Sequence, residues 1–344
     1  MIASRSTRAR RALFATSPVG ARPCLAWFRA FAWACALTIA LPAVAADYPV
    51  RPIRLIAPFA PGGGTDITAR ILAQGLDKTL GQTVVVDNRP GAGSTLGTDL
   101  AAKAAPDGYT LLLGNISLAF NAALYKKLPF DALRDLVAIS LVTEQPNILV
   151  ANPSLPAKTF SDFIALARSE PGKLTYGSAG VGSGTHLAME LLLMSQKMKL
   201  VHVPYKGTGP AITALLSNEI SVFFSTFASA LPLVKSQRLR AFAVTSTKRA
   251  GALPEVPTVA ESGVPGYEYS TWYGLLAPAH TPKTIVAHLN RATVEVLNSP
   301  ETRQHCGDQG MDAIPSTPGK FAGYLKSETE KWGKVVRAAN ISVQ

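Results

Sequence analysis

The chain has 344 residues, which is enough for two domains of ordinary size. Its 34 Lys and Arg residues and 22 Asp and Glu residues give a net charge of +12. Residues 1–46 hold six of the arginines and no acidic residue. The remaining residues therefore have 28 basic and 22 acidic side chains, a net charge of +6. That mild excess forms no run of like charge, so it argues against a nucleic-acid partner and suits small anions.

Residues 1–46 have the composition of an export signal. Their arginine-rich start is followed by an apolar stretch, Ala30–Leu41, and then by the small residues Ala43–Ala46. This is the order of parts in a cleaved secretory signal, so we expect cleavage near Ala46 and a periplasmic, soluble mature protein. The apolar stretch is shorter than the roughly 20 residues that span a bilayer. Arg10-Arg11 leaves a twin-arginine export route open beside the general secretory one.

Cysteine use gives no sign of a disulfide framework. Cys24 and Cys35 lie in the expected signal, which leaves Cys306 alone in the mature chain. We expect Cys306 to be a packed thiol.

Strand and helix patterns alternate through the first block of the mature chain. The predicted elements are strand Ile53–Phe59, helix Asp66–Leu80, strand Thr83–Asp87, helix Ser94–Ala104, strand Tyr109–Gly114, a short helix near Leu118–Tyr125, and strands Val137–Val142 and Asn147–Val150. Strands separated by single helices predict βαβ units and a parallel sheet.

The alternation repeats in a second block and ends in helices. The predicted elements are helix Phe160–Ser169, strand Leu174–Gly177, helix Leu187–Gln196, strand Leu200–Val203, helix Pro210–Asn218, strand Ile220–Phe224, helix Ala228–Ser236, strand Leu239–Ser246, an irregular linker at 248–268, strand Ser270–Ala277, and helices Pro282–Asn298 and Phe321–Ala339. Thr317 and Pro318 are suited to the N-cap and the first position of the last helix.

Two glycine-rich loops have the same layout. The first loop, Ala57–Arg70, runs from a strand through two prolines and three glycines to Thr65 and Asp66, which are typical of a helix start. The second loop, Gly177–His186, also joins a strand to a helix through glycines and hydroxyl residues. Such turns direct backbone N–H groups at an anion. Ligands of open α/β sheets bind beyond the carboxyl ends of the strands, so we expect the loops to face each other across a cleft that holds a small dianion or zwitterion.

Other interpretations of these residues stay open. Glycines at strand–helix junctions also serve tight packing alone. His186 is a candidate general base as well as a ligand donor or a cap of its own loop. One ring of Trp272-Tyr273 is a candidate for the cleft as well as for the core. Enzyme motifs are missing: there is no G-x-S-x-G elbow, no G-x-x-x-x-G-K-[ST] phosphate loop, and no metal-ligand spacing among the five histidines.

Several segments together resemble one known family. They are Pro58–Asp66, Asn88–Gly93, Pro106–Tyr109, Tyr176–Leu187, Val203–Gly207, Leu239–Val244, Val256–Val259 and Trp272–Pro278. Their order and spacing resemble the Bug-type receptors, the extracytoplasmic solute-binding proteins of tripartite tricarboxylate transporters, over the whole mature chain.

The resemblance implies an α/β, two-domain periplasmic-binding-protein fold of type II, a Venus flytrap with its ligand cleft between the domains. Domain I would be discontinuous, 47–147 and 269–344, and domain II would be 148–268, with hinges near 147 and 268. It also implies a monomer without cofactor or catalysis that captures a small carboxylate, either a di- or tricarboxylate or an aromatic acid, and delivers it to a membrane permease. A secreted enzyme on the same scaffold and a ligand sensor remain as alternatives.

Two positions depart from the family pattern. Ser225 stands where the family usually has a cleft aspartate that would favour an amino group, so we expect amino acids to be disfavoured as ligands. His280 replaces a glycine before Thr-Pro. The full set of expected ligand-binding residues is Phe59, Gly63, Gly64, Thr65, Asp66, Asn115, Ser178, Gly180, Gly182, Ser183, Thr185, His186, Tyr205, Ser225 and Trp272.

Overall fold

The apolar segments of the sequence form buried strands. The structure is a computed structural model and describes residues 48–338; the expected export signal lies outside the described residues. The strands are β1 Ile53–Ala57, β2 Val84–Asn88, β3 Thr110–Asn115, β4 Leu136–Ala151, β5 Thr175–Ser178, β6 Val201–Pro204, β7 Val222–Thr226, β8 Arg240–Val244, β9 Ser270–Pro278 and β10 Asp312–Ala313.

Helices follow most of the strands, as their periodicity predicts. They are α1 Gly64–Leu80, α2 Thr95–Ala102, α3 Ser117–Leu124, α4 Phe160–Ser169, α5 Gly184–Gln196, α6 Thr208–Leu216, α7 Phe227–Lys235, α8 Lys283–Asn298, α9 Pro300–Asp308 and α10 Pro318–Ala338. Thr159 caps α4 in a capping box with Asp162. Within the described residues, no helix is both long and apolar enough to cross a membrane.

The sheet is mixed, so the predicted parallel sheet is confirmed for the βαβ units and wrong for β4 and β9. The strand order is β2-β1-β3-β9-β4-β7-β5-β6, and β8 and β10 also pair with β4. The βαβ units do give parallel pairs, β1 with β2 and β3, and β5 with β6 and β7. Every pairing of β4 and β9 is antiparallel.

The two strands predicted at Val137–Val142 and Asn147–Val150 are one continuous strand, β4. Its first part pairs with β9 as far as Pro146, and from Asn147 onward it pairs with β7 and β8. The polar segment before Pro146 suggests that the strand ends there. Pro146 instead lies at the point where β4 changes its partner from β9 to β7. A missing N–H costs little at that point.

Strand β4 therefore divides the structure into two lobes. The first lobe contains β1, β2, β3, β9, β10 and the first part of β4, and the second lobe contains β5 to β8 and the rest of β4. One apolar core lies between the first sheet and helices α1 and α8. Another lies between the second sheet and helices α6 and α7. A larger cluster extends across both lobes and includes the C-terminal helix α10.

Candidate functional site

A small cavity of about 20 Å³ lies where the two glycine loops meet. Its lining is uncharged, contains many hydroxyl residues and comes from both lobes. The lining residues are Phe59, Gly63, Gly64, Thr65, Asn115, Ala179, Ser183, Gly184, Thr185, Thr208, Thr226, Thr271 and Tyr273. Larger grooves on the surface, such as one of about 810 Å³ beside Lys248 and Asp308, lie away from both loops.

Five helices begin at this cavity. Gly63 precedes α1, Ser183 is the N-cap of α5, and Thr226 is the N-cap of α7. Asn115 ends β3 just before α3, and Thr208 is the first residue of α6. The first N–H groups of a helix lack partners inside it, and the helix dipole places about half a positive charge there. The cavity therefore favours an anion although no lysine or arginine lines it.

The first loop is held by its own helix start. Burial by itself would raise the pKa of Asp66, but hydrogen bonds from Arg70 and from the Gly62 N–H, 3.1 Å from Oδ2, outweigh it and lower that pKa. Arg70 Nη2 lies 3.0 Å from Asp66 Oδ1. Asp66 thus ties the glycine turn to α1 and does not line the cavity.

The second loop is also fixed by hydroxyl groups. The backbone N–H of His186 donates to Ser183 Oγ at 3.3 Å, and the Ala179 N–H donates to Thr185 Oγ1 at 2.8 Å. Gly180 and Gly182 have φ angles of 127° and 75°, which favour glycine. Neither glycine lines the cavity; their neighbours Ala179 and Ser183 do.

The ring of His186 belongs to a buried stack outside the cavity. It stacks on His202 with centroids 4.2 Å apart, and His202 stacks on Tyr176 at 4.7 Å. His186 Nδ1 accepts the Gly182 N–H at 3.4 Å, and Ser178 Oγ lies 2.6 Å from His202 Nε2. Burial lowers the pKa of both histidines to about 4. His186 is therefore neutral at pH 7 and caps its own loop.

Two predicted residues lie one position away from residues that line the cavity. Ser225 donates its hydroxyl to the carbonyl of Thr226, and it is Thr226 that lines the cavity. Trp272 packs on Phe321 and donates Nε1 to Glu328 at 3.2 Å. Its neighbours Thr271 and Tyr273 line the cavity instead. Successive side chains of a strand point to opposite faces, so a shift of one residue moves a side chain from the site to the core.

The structure thus brings together about half of the expected site. Phe59, Gly63, Gly64, Thr65, Asn115, Ser183 and Thr185 line the cavity, whereas Asp66, Ser178, Gly180, Gly182, His186, Tyr205, Ser225 and Trp272 do not. The sequence interpretation missed Ala179, Thr208, Thr226 and Thr271, whereas Gly184 lies within the predicted second loop and Tyr273 was an alternative to Trp272. A signal was present for Thr208 and Thr226, because each is a hydroxyl residue at the start of a helix that follows a strand.

Metal coordination finds no support in the described part of the chain. Between residues 48 and 338, no group of three or more His, Cys, Asp or Glu side chains is placed to hold an ion.

The sequence is similar to a known family of receptors and to its individual members. Residues 68–341 match the family described as "Tripartite tricarboxylate transporter family receptor". Protein BugT of Bordetella pertussis is 40% identical over 301 residues, covering 87% of this chain and 92% of that protein.

Two solved structures are similar throughout. The periplasmic binding protein BugD is 32% identical with a TM-score of 0.84, covering 86% of this chain and all of BugD. MatC from Rhodopseudomonas palustris, solved with bound malate, is 34% identical with a TM-score of 0.80, covering 84% of this chain and all of MatC. These similarities confirm the expected two-domain fold of type II periplasmic binding proteins.

Proposed function

Because this chain belongs to the tripartite tricarboxylate transporter family of receptors, we propose that it captures a small organic carboxylate and delivers it to a membrane permease of that transporter type. The ligand is a di- or tricarboxylate or an aromatic acid. The protein acts as a monomeric binding protein and performs no chemistry on its ligand.

The observation that carries this proposal is the convergence of five helix N-termini on one uncharged cavity. Seven residues that carry a hydroxyl group line the same space: Thr65, Ser183, Thr185, Thr208, Thr226, Thr271 and Tyr273. Partial positive charge and hydroxyl donors together stabilise a carboxylate without a cationic side chain. The malate in the structure of MatC is a ligand of this chemical class.

Ligand entry requires the two loops to separate. A volume of about 20 Å³ has room for roughly one water molecule, so a dicarboxylate does not fit between the loops as they stand. We propose hinges near residues 147 and 268, which divide domain I (47–147 and 269–344) from domain II (148–268). The change of partner strand at Pro146 and Asn147 supports the first hinge.

The protein works in the periplasm in this proposal. The arginine-rich and then apolar composition of residues 1–46 supports export with cleavage near Ala46. Delivery to a permease from outside the cytoplasm requires that location.

The proposal is tested with the exported protein. Mass spectrometry of ligand retained through native purification, followed by calorimetry with malate, succinate, citrate and benzoate, should reveal at least one acid that binds in a 1:1 ratio. Release of a modified product from any bound acid would contradict a receptor role. The absence of binding by every acid, with none retained from the cell, would refute carboxylate capture.

A further inference from the structure

Two loops from different lobes meet beside the cavity, and Tyr125 lies between them. Tyr125 follows α3 in the first lobe, and its hydroxyl lies 3.1 Å from the carbonyl oxygen of Val181 in the second glycine loop. The same hydroxyl lies 2.9 Å from the carbonyl oxygen of Ala92 in the first lobe. None of these residues lines the cavity. The contact is therefore separate from the ligand-binding surface.

The single hydroxyl hydrogen of Tyr125 can serve only one of the two carbonyls at a time. The bond to Ala92 is exposed to solvent, where water can replace it, whereas the bond to Val181 is partly buried. Within residues 48–338, Tyr125 is the only hydrogen-bond donor to the Val181 carbonyl. Leaving a partly buried carbonyl unpaired costs more than leaving a solvent-exposed one to water, so the hydrogen is directed to Val181 when the loops touch.

The backbone around this bond is packed as closely as glycine allows. A Cβ on Gly93 would overlap the Val181 carbonyl, and a Cβ on Gly182 would lie 3.0 Å from the Tyr125 ring. Gly93 has a φ of 57°, and the side-chain amide of Asn121 donates to its carbonyl at 3.3 Å. Gly182 therefore serves the approach of the two lobes, which explains why a glycine stands there without lining the cavity.

We infer that Tyr125 sets how long a bound ligand stays in the cavity, as a positioning residue that does not touch the ligand. The inference rests on the proposed function. The bond from Tyr125 to Val181 joins the two lobes, so it exists only while the loops are in contact. A ligand held in so small a cavity leaves only after the loops separate. The hydroxyl therefore stabilises the closed form and contributes nothing to the open form.

The test is Tyr125→Phe, with Tyr48→Phe as the matched control. Tyr48 also donates its hydroxyl to a backbone carbonyl, that of Gly108 at 2.6 Å, but both residues lie in the first lobe. Stopped-flow measurement with malate should show a dissociation rate about 2- to 12-fold higher for Tyr125→Phe, the range of one net hydrogen bond, with an unchanged association rate. Tyr48→Phe should change neither rate.

An unchanged dissociation rate for Tyr125→Phe would overturn the inference, and so would an equal rise for Tyr48→Phe. If malate does not bind but another acid does, the same rates are measured with that acid. If no acid binds the wild type, the proposed function fails, and hydrogen exchange of the unliganded proteins decides the role of Tyr125. Faster exchange in segments 92–96 and 179–183 of Tyr125→Phe than of the wild type supports the contact between the lobes. Equal exchange in the two proteins overturns it.

Discussion

The backbone N–H of Gly64 donates to the hydroxyl of Thr226, 3.2 Å away and 162 residues later in the chain. Gly64 begins α1 in the first lobe, and Thr226 ends β7 in the second. A Cβ on Gly64 would overlap the hydroxyl of Tyr273. One glycine thus allows a helix start, a strand end and a tyrosine to meet at the cavity, because it has no side chain to keep them apart.

Gly63 offers a direct test of the cavity. A Cβ at Gly63 would lie 3.3 Å from the Cβ of Thr208 across the cavity, and the φ of −90° at Gly63 permits any residue. Gly63→Leu should therefore fold but fill the cavity and hold the loops apart. We expect it to lose the rise in melting temperature that a bound acid gives the wild type, measured by differential scanning fluorimetry.

Gly323→Leu is the control for this substitution. Gly323 lies in α10 with no atom near the position that its Cβ would take. This variant should keep the full ligand-induced shift. A normal shift in Gly63→Leu would show that the acid binds elsewhere.

Malate and aspartate differ only by a hydroxyl in place of an ammonium group, so they form a matched pair of ligands. The residues that line the cavity include no carboxylate, and Ser225 lies outside that lining. An ammonium group would lose its hydration there without an anionic partner, and helix N-termini would repel it. We expect malate to bind at least about tenfold more tightly than aspartate in calorimetry. Tighter binding of aspartate would contradict this view of the site.

Stability should fall at mildly acidic pH because of the buried histidine pair. Burial lowers the pKa of His186 and His202 to about 4, and repulsion between the two rings adds to the effect at His202. Their pKa in the unfolded chain is about 6.5. Between these values the unfolded chain binds protons that the folded chain does not. The free energy of unfolding should therefore decrease as the pH falls from about 6.5 to about 4.

His202→Gln isolates this contribution from that of the carboxylates. Glutamine keeps a partner for Ser178 but does not titrate. Urea unfolding should show a loss of stability between pH 7 and pH 5 that is smaller in the variant by about 1 kcal/mol, a value that allows for the partial exposure of His202. If the wild type and His202→Gln lose the same unfolding free energy between pH 7 and pH 5, His202 does not cause the pH dependence.

Glu328 should matter for stability because two buried indoles depend on it. Its Oε2 accepts Nε1 of Trp272 at 3.2 Å and Nε1 of Trp332 at 2.8 Å, and Glu328 is 8% exposed. Glu328→Ala would leave both N–H groups unpaired and should lower the free energy of unfolding by about 2–4 kcal/mol. Glu328→Gln retains an acceptor oxygen and should cost less. Chemical denaturation followed by tryptophan fluorescence measures both; equal losses would contradict the hydrogen-bonding role.

Element types were largely predictable, whereas one helix was not. The helices expected from apolar periodicity are present within a few residues of their predicted ends. Helix α9, Pro300–Asp308, was missed because only Thr302 and Cys306 of it are buried, which leaves almost no apolar stripe to detect. The packed thiol expected at Cys306 is confirmed, since its side chain is fully buried.

The candidate site was predictable where backbone geometry decides it. Glycines and hydroxyls at a strand–helix junction indicate a helix start aimed at a ligand, and Gly63, Gly64 and Thr65 do line the cavity. Ser225 and Trp272, which were predicted from the chemistry of their side chains, do not line the cavity. Each of them lies one position from a residue that lines the cavity. Alternate residues of a strand point to opposite faces, and the sequence does not say which face packs against the core.

The sequence alone therefore determined the alternation of elements, the family and the two glycine loops, since these depend on local periodicity and on residues at turns. Only the tertiary structure decided that β4 is one strand shared by both lobes. It also decided that five helix starts converge on one cavity, and that Gly182 and Tyr125 serve the contact between lobes. Residues far apart in the chain come together at each of these places, and their approach depends on packing that no local pattern encodes.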